Sequence, residues 1–220
     1  MEYSIIGNGV QYLQVKLQRG EPFFAEKGAL IYIEDGIHKD AITSGSGLGK
    51  MLGAKLSGES IFMVKIVNIS DSEKTAAIGC NYGLHQLELN GESIICLRGA
   101  YVASSTKMDI TTKLSITGMT GGMGLMLQKI TGKGLLFLDT IGDPISIVLP
   151  PGKTIELDEN HIIALHNIKE NQISSKWSVS NVLGGEGLSM LRVTGPGKVY
   201  LSPIALRRHA QGEGLLSRVL

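Results

Sequence analysis

The stretch Ser44-Gly45-Ser46-Gly47-Leu48-Gly49-Lys50-Met51 is the first place where residue types invite a chemical reading, that of a phosphate-binding loop. Such a loop needs a glycine five residues before its second glycine, so that successive backbone N–H groups wrap the phosphates, and a Ser or Thr after the lysine to reach Mg²⁺. Serine stands at 44 and methionine at 51, and no G-x-G-x-x-G spacing is present, so nucleotide binding is not expected. A metal held by β-strands would need two histidines on one strand face. His38, His85, His161, His166 and His209 contain no His-x-His, and His161 and His166, five apart, face opposite sides of a strand. No Gly-x-Ser-x-Gly elbow marks a serine nucleophile. Glu59, Glu92 and Glu186 each sit beside glycine and read as turn residues rather than as an acid–base pair. The expectation is a protein that is not an enzyme, with no catalytic residues, no metal and no cofactor.

Binding is the remaining chemistry. Lysines at 50, 55, 107, 113, 129, 133 and 176 could meet phosphates. The net charge of +1 gives no general basic field, and aromatics, which stack single-stranded bases, make up only 5% of the chain. Nucleic acid is therefore not the expected partner. A more distinctive feature is Leu48-Gly49-Lys50-Met51-Leu52-Gly53-Ala54-Lys55-Leu56, echoed by Met119-Thr120-Gly121-Gly122-Met123-Gly124 and by Val182-Leu183-Gly184-Gly185. These segments are apolar as well as glycine-rich. If exposed, they would gather Leu48, Lys50, Met51, Leu52, Lys55, Met119, Met123 and Leu183 into an interaction surface for a protein partner, a second copy or a membrane surface. If folded inward, they would plug the ends of the fold.

The elements that carry these segments repeat. Residues 122–138 (GMGLMLQKITGKGLLFL) and 185–201 (GEGLSMLRVTGPGKVYL) share seven identities in register at a separation of 63 residues. Each reads as a strand, a Thr-Gly-x-Gly turn and a second strand, which predicts a hairpin. The first copy opens with Gly58-Glu59-Ser60-Ile61-Phe62, but its turn, residues 68–75, is longer and polar, and a looser loop is predicted there. A second element recurs as Gly20-Glu21-Pro22, Gly91-Glu92-Ser93 and Gly152-Lys153-Thr154, each followed eight residues after its glycine by Gly28, Gly99 or Asn160. Asparagine tolerates the left-handed region better than other side chains, so one shared backbone conformation is predicted at all three. A third element alternates: Ile110, Thr112, Leu114 and Ile116 against polar neighbours, and Ile173, Ser175, Trp177 and Val179 likewise, with a weak first copy near 37–43. Runs that are apolar on both faces, 60–67 and 135–138, belong between two sheets.

The fold class is therefore all-β: a pseudo-threefold internal repeat of antiparallel units, built as a double-stranded β-helix or barrel-like body with very little helix. One β domain is expected to span 1–220, with repeats at approximately 14–86, 87–146 and 147–204 and a tail at 205–220. The best helical candidate is residues 48–56. Glycine, 29 of 220 residues, is roughly twice its usual share, as many sharp turns require. Cys80 and Cys96 lie in apolar runs and read as core thiols. No signal peptide, transit peptide or apolar run of transmembrane length is recognisable, so a cytoplasmic location is expected.

Glu26-Lys27-Gly28-Ala29-Leu30-Ile31-Tyr32, the run 56–66 with Gly58-Glu59-Ser60, Arg98-Gly99-Ala100-Tyr101-Val102-Ala103-Ser104, and Gly184-Gly185-Glu186-Gly187-Leu188 with Thr194-Gly195-Pro196-Gly197 together resemble the altered-inheritance-of-mitochondria twenty-four family. The resemblance covers roughly 14–202. It implies a fold similar to that of tryptophan RNA-binding attenuation protein and no established activity, with eukaryotic relatives linked to the mitochondrial inner membrane. The function expected is a non-enzymatic β-scaffold or interaction protein, a homo-oligomer with an unknown protein partner and possible membrane-surface contact. The alternative is an RNA- or small-ligand-binding module by analogy of fold.

Overall fold

Along Tyr12–Leu17 (β2), Leu13, Val15 and Leu17 are fully buried while Tyr12, Gln14 and Lys16 stay partly exposed, the period of two of a strand with one face on a core. Glu2–Ile6 (β1) lies antiparallel beside it. The computed structural model describes residues 1–44, 62–116, 125–176 and 190–205, with no side chains described at 112–116, 125–126 and 175–176. Among the described residues every regular element is a strand, apart from 3₁₀ turns at Glu159–His161 and Glu170–Gln172. The all-β expectation holds.

After β1 the strands fall into three sets of six positions. The first set is β2, Pro22–Glu26 (β3), Leu30–Ile33 (β4), Ile37–Thr43 (β5), Phe62–Asn68 (β6) and Lys74–Gly79 (β7). The second is Gly83–Leu97 (β8), Tyr101–Ser104 (β9), Asp109–Ile116 (β10) and Leu125–Thr140 (β11), in which β8 and β11 are each long enough to fill two positions. The third is Ile145–Leu149 (β12), Thr154–Asp158 (β13), Ile162–His166 (β14), Ile173–Lys176 (β15), Met190–Thr194 (β16) and Gly197–Leu201 (β17).

Each set pairs its strands alike, and every pairing is antiparallel. The sixth position lies between the first and third: β7 between β2 and β4, the C-terminal half of β11 between the N-terminal half of β8 and β9, and β17 between β12 and β14. The fifth lies between the second and fourth: β6 between β3 and β5, the N-terminal half of β11 between the C-terminal half of β8 and β10, and β16 between β13 and β15. Neighbouring sets join where the second position of one meets the third position of the next, β3 with β9 and β8 with β14. The result is a four-stranded sheet β1-β2-β7-β4, a ten-stranded sheet and a three-stranded sheet β13-β16-β15. The described sheets stay open and close no barrel, because β4 and β13 each end one of them.

Thr-Gly-x-Gly is not a hairpin turn. β16 and β17, which flank it, lie in different sheets, and its second-set counterpart at Thr131 to Gly134 runs uninterrupted through β11 with a register shift. In the third set it is a corner at which the chain passes from one sheet to another, and in the second it is an irregularity within one long strand, both places where bulges and glycines let a strand bend sharply. Close packing explains the first glycine: a Cβ at Gly195 would stand 2.3 Å from the Pro150 carbonyl oxygen and 2.4 Å from that of Leu149. Backbone explains the second in Gly134, at φ +128°. The shared conformation predicted for Gly28, Gly99 and Asn160 is also corrected. Gly28 and Gly99 have positive φ, whereas Asn160 does not. It sits in the 3₁₀ turn, where the Asp158 carboxylate accepts its N–H, and this capped turn makes the same corner by another route.

Two hydrophobic clusters form the core, and β11 divides them. Leu136 and Leu138 face a cluster drawn mostly from the second and third sets, and Phe137 faces one drawn mostly from the first. The doubly apolar run 135–138 does lie between two packed layers. The loop after β6 is pinned rather than loose: the buried Asn68 amide donates to the Leu17 and Ser72 carbonyls, both at 2.8 Å, and accepts from the Ser70 N–H. Cys96 is fully buried, and Cys80 is half-buried with its thiol donating to the Gln11 carbonyl.

Candidate functional site

The residues singled out for interaction fall between strands four and five of each set. Leu48, Lys50, Met51, Leu52 and Lys55 lie between β5 and β6, Met119 and Met123 between β10 and β11, and Leu183 between β15 and β16; all lie outside the described residues, as do the candidate helix 48–56 and most of the tail. Their stems are described. Thr43 pairs with Phe62, Ile116 with Leu125 and Lys176 with Met190, so the three segments are carried by equivalent antiparallel hairpins.

Among the described residues, polar chemistry gathers at the joint between the second and third sets. Gly91, at φ +106°, turns the chain inside β8 and presents Glu92, whose carboxylate accepts the Asn90 N–H at 2.8 Å. Its other oxygen lies 3.1 Å from Nε2 of His166, at the end of β14, so the pair clasps the joint from one set to the other. The Glu92 carboxyl is held below the usual carboxylate range, first by its own backbone N–H, then by Asn90 and His166, against a desolvation that acts the other way. Beyond His166 the chain turns at Asn167, φ +55°, and Ile168 packs onto Gly197, where a Cβ would stand 2.2 Å from Ile168 Cδ1. Gln172 fixes the far end, accepting from the Lys169 N–H at 2.8 Å and donating to the Thr194 carbonyl at 2.7 Å. Between these walls lies an open groove of ≈ 410 Å³ lined by Glu92, Ser93, Lys129, Thr131, Ile168 and Lys169. Two ammonium groups beside a clasped carboxylate make it a shallow site suited to a small anion or an acidic side chain.

This layout can be set against known proteins. A family model, Mitochondrial biogenesis AIM24, matches residues 3–204. The chain belongs to that family. The resemblance read from the sequence is thereby shown over nearly the whole chain. Among solved structures, this AIM24-family chain is similar to a protein from Streptococcus pyogenes determined as a structural-genomics target, with 21% identity, a TM-score of 0.68, and coverage of 93% of this chain and 94% of that one. At that identity the likeness speaks for the fold alone. No curated protein matches the chain.

Among the described residues of this AIM24-family member, several other chemistry-bearing side chains are committed to structure. Ser104 is fully buried, accepts from the Tyr101 hydroxyl at 2.8 Å and donates to the Thr106 carbonyl at 2.7 Å, and burial pushes the Tyr101 hydroxyl well above its usual range. Burial, followed by the Asp139 charge, pushes the Cys80 thiol up to about 11, so it carries little thiolate at neutral pH. His161 Nδ1 lies 2.8 Å from the Ser202 carbonyl. His85 packs on Tyr200 with centroids 4.7 Å apart, and Lys198 lies over the same ring. Histidine spacing along the chain does not reveal the groove, because the groove depends on pairing across the joint. The legible signal was the Gly-Glu of Gly20-Glu21 and Gly91-Glu92, whose carboxylates both cap a nearby N–H, of Gln18 and Asn90 respectively. No helix among the described residues is long and apolar enough to cross a membrane.

Proposed function

We propose that this AIM24-family chain is a non-enzymatic, cytoplasmic β-scaffold that works by protein interaction and self-association. The observation that carries the reading is the placing of exposed apolar side chains along open sheet edges. Ile31 and Tyr32 stand 59% and 45% exposed on β4, and Ile145 and Val148 stand 50% and 70% exposed on β12, each strand being the last of its sheet. Edge strands that keep apolar side chains in water are templates for a further chain unless something covers them. The apolar, glycine-rich sequences between the three stems are a second candidate, for a protein or a membrane, on composition alone.

The test is affinity capture from the native cell, comparing wild type with Ile145→Lys/Val148→Lys and with Met51→Ser/Leu52→Ser. A protein retained by wild type and lost from either variant, with folding intact by circular dichroism, is the expected result; identical captures from all three sink the reading. Liposome flotation with the Met51→Ser/Leu52→Ser control decides the membrane version.

The second reading, a small-ligand or RNA module, draws on the groove beside Lys129 and Lys169. Inorganic phosphate titrated against wild type and Lys129→Ala/Lys169→Ala separates it, since binding lost from the variant alone favours that reading.

A further inference from the structure

Ile145–Leu149 (β12) ends the ten-stranded sheet, and its outer side can be read bond by bond. The Ser202 N–H donates to the His161 carbonyl at 2.7 Å, on the β14 side of β17. By alternation along β17, Tyr200 turns its N–H and C=O to β14, while Leu201 and Val199 turn theirs to β12. Leu201 lies opposite Ile145 and Val199 opposite Ile147, so these two residues of β12 bond inward. Ser146 and Val148 therefore turn their N–H and C=O outward, and Val148 stands 70% exposed. The next residues of that parity are Pro144 and Pro150, and neither has an N–H to donate.

The edge also lacks the charges that keep edges from pairing. The sheet ends β1, β5, β13 and β15 carry Glu2, Asp40, Glu156 and Lys176, and β4 runs directly into Glu34-Asp35, whereas Ile-Ser-Ile-Val-Leu carries no charge. The strand is self-complementary about Ile147. When a second copy is laid antiparallel with Ile147 opposite Ile147, Ser146 meets Val148 and each such pair exchanges both of its backbone bonds. Pro144 then meets Pro150, and the ladder stops. A shift of two residues sets Ser146 or Val148 against a proline and loses bonds, and a shift of one sets outward groups against inward ones. In the Ile147 register Ile145, 50% exposed, packs beside Leu149 of the second copy. The exposed Asp143 of each copy comes beside the turn that carries the exposed Lys153 of the other, which sets opposite charges together at both ends.

We propose that two copies of this chain pair through β12, antiparallel about a two-fold axis at Ile147, and so join two ten-stranded sheets into one. Both copies use the same surface, so the contact closes as a dimer and does not propagate. One short strand a side falls well under the roughly 1,200 Å² of a stable specific interface, so the dimer forms on concentration and separates on dilution. The proposal rests on the self-associating part of the scaffold reading and names the surface and symmetry of that association.

The test starts from Ile147→Cys under a mild oxidant, with the wild type, which has Cys80 and Cys96, as background. The expected result is a disulfide-linked dimer well above that background. Chains carrying Ser146→Cys and chains carrying Val148→Cys are expected to cross-link when mixed and not alone, since each position faces the other across the axis. A further variant acts on the backbone. Val148→Pro removes an outward N–H and leaves the bonds to β17 in place, so the fold, followed by circular dichroism, stays intact. The dissociation constant of its dimer in sedimentation is expected to rise about tenfold or more, the scale of two lost backbone bonds. The proposal is overturned if Ile147→Cys gives no more dimer than wild type, if Ser146→Cys alone cross-links as well as the mixture, or if folded Val148→Pro associates as wild type does. Those failures are distinguishable from failure of the scaffold reading, because affinity capture of a protein lost from Ile145→Lys/Val148→Lys needs no second copy.

Discussion

His85 shows how a single buried group sets a pH dependence in this chain. Its Nε2 is buried without a hydrogen-bond partner, and its ring packs on Tyr200. Burial, then the charge of Lys198, lowers its pKa from the ordinary value of 6.5. Below 6.5 the unfolded chain takes up a proton that the folded chain resists, so stability is full above that pH and declines as pH falls below it. His85→Phe keeps a ring against Tyr200 and removes the titration. The expected outcome is a urea midpoint that varies less between about pH 5 and 7.5 than that of wild type. The five histidines were visible in sequence; that one of them would lie without a partner under a tyrosine was not.

Corners and joints are the elements that make the fold, and each rests on few residues. At the Thr-Gly-x-Gly corner, Gly195→Ala drives a methyl into two backbone carbonyls that cannot swing aside as a flexible side chain can. A loss of roughly 2–4 kcal/mol by denaturant unfolding is expected, in the range of strained core substitutions. A similar loss from an exposed glycine such as Gly9, which is not left-handed and whose added Cβ meets nothing within 4 Å, would refute the steric account. The Glu92–His166 clasp tests the joint. Since Glu92 is held below its ordinary value of 4.5, its contribution is present above that pH and is lost as pH falls through the lower folded value. Glu92→Gln is expected to flatten the acid limb of the stability profile while leaving the core, followed by near-ultraviolet circular dichroism at pH 7, unchanged.

Across the whole molecule, β8 and β11 hold the three sets together. They pair with one another over nearly their full lengths, carry side chains into both hydrophobic clusters, and abut β9, β10 and β14. Opening them exposes both clusters at once, so hydrogen exchange is expected to be slowest in Leu136, Phe137 and Leu138 and their neighbours on β8, and fastest in the edge strands β1 and β12. Exchange as slow in β12 as in β11 would show that this edge is covered in solution.

The sequence by itself determined the all-β class, the family and the doubly buried run at 135–138, because these follow from side-chain period and from glycines repeated at fixed spacing. It did not determine what the glycines do. A Thr-Gly-x-Gly flanked by two strands fits a hairpin and a sheet-changing corner equally well, and the choice depends on which distant strands each flank pairs with. The Asn160 turn, the pinned loop at Asn68 and the clasped groove share that cause. Each depends on contacts between residues tens of positions apart, and local periodicity holds no record of those contacts. By sequence Glu92 reads as a turn residue and His166 as a histidine without ligand spacing. Only tertiary pairing set them against each other, 3.1 Å apart across the joint between the second and third sets.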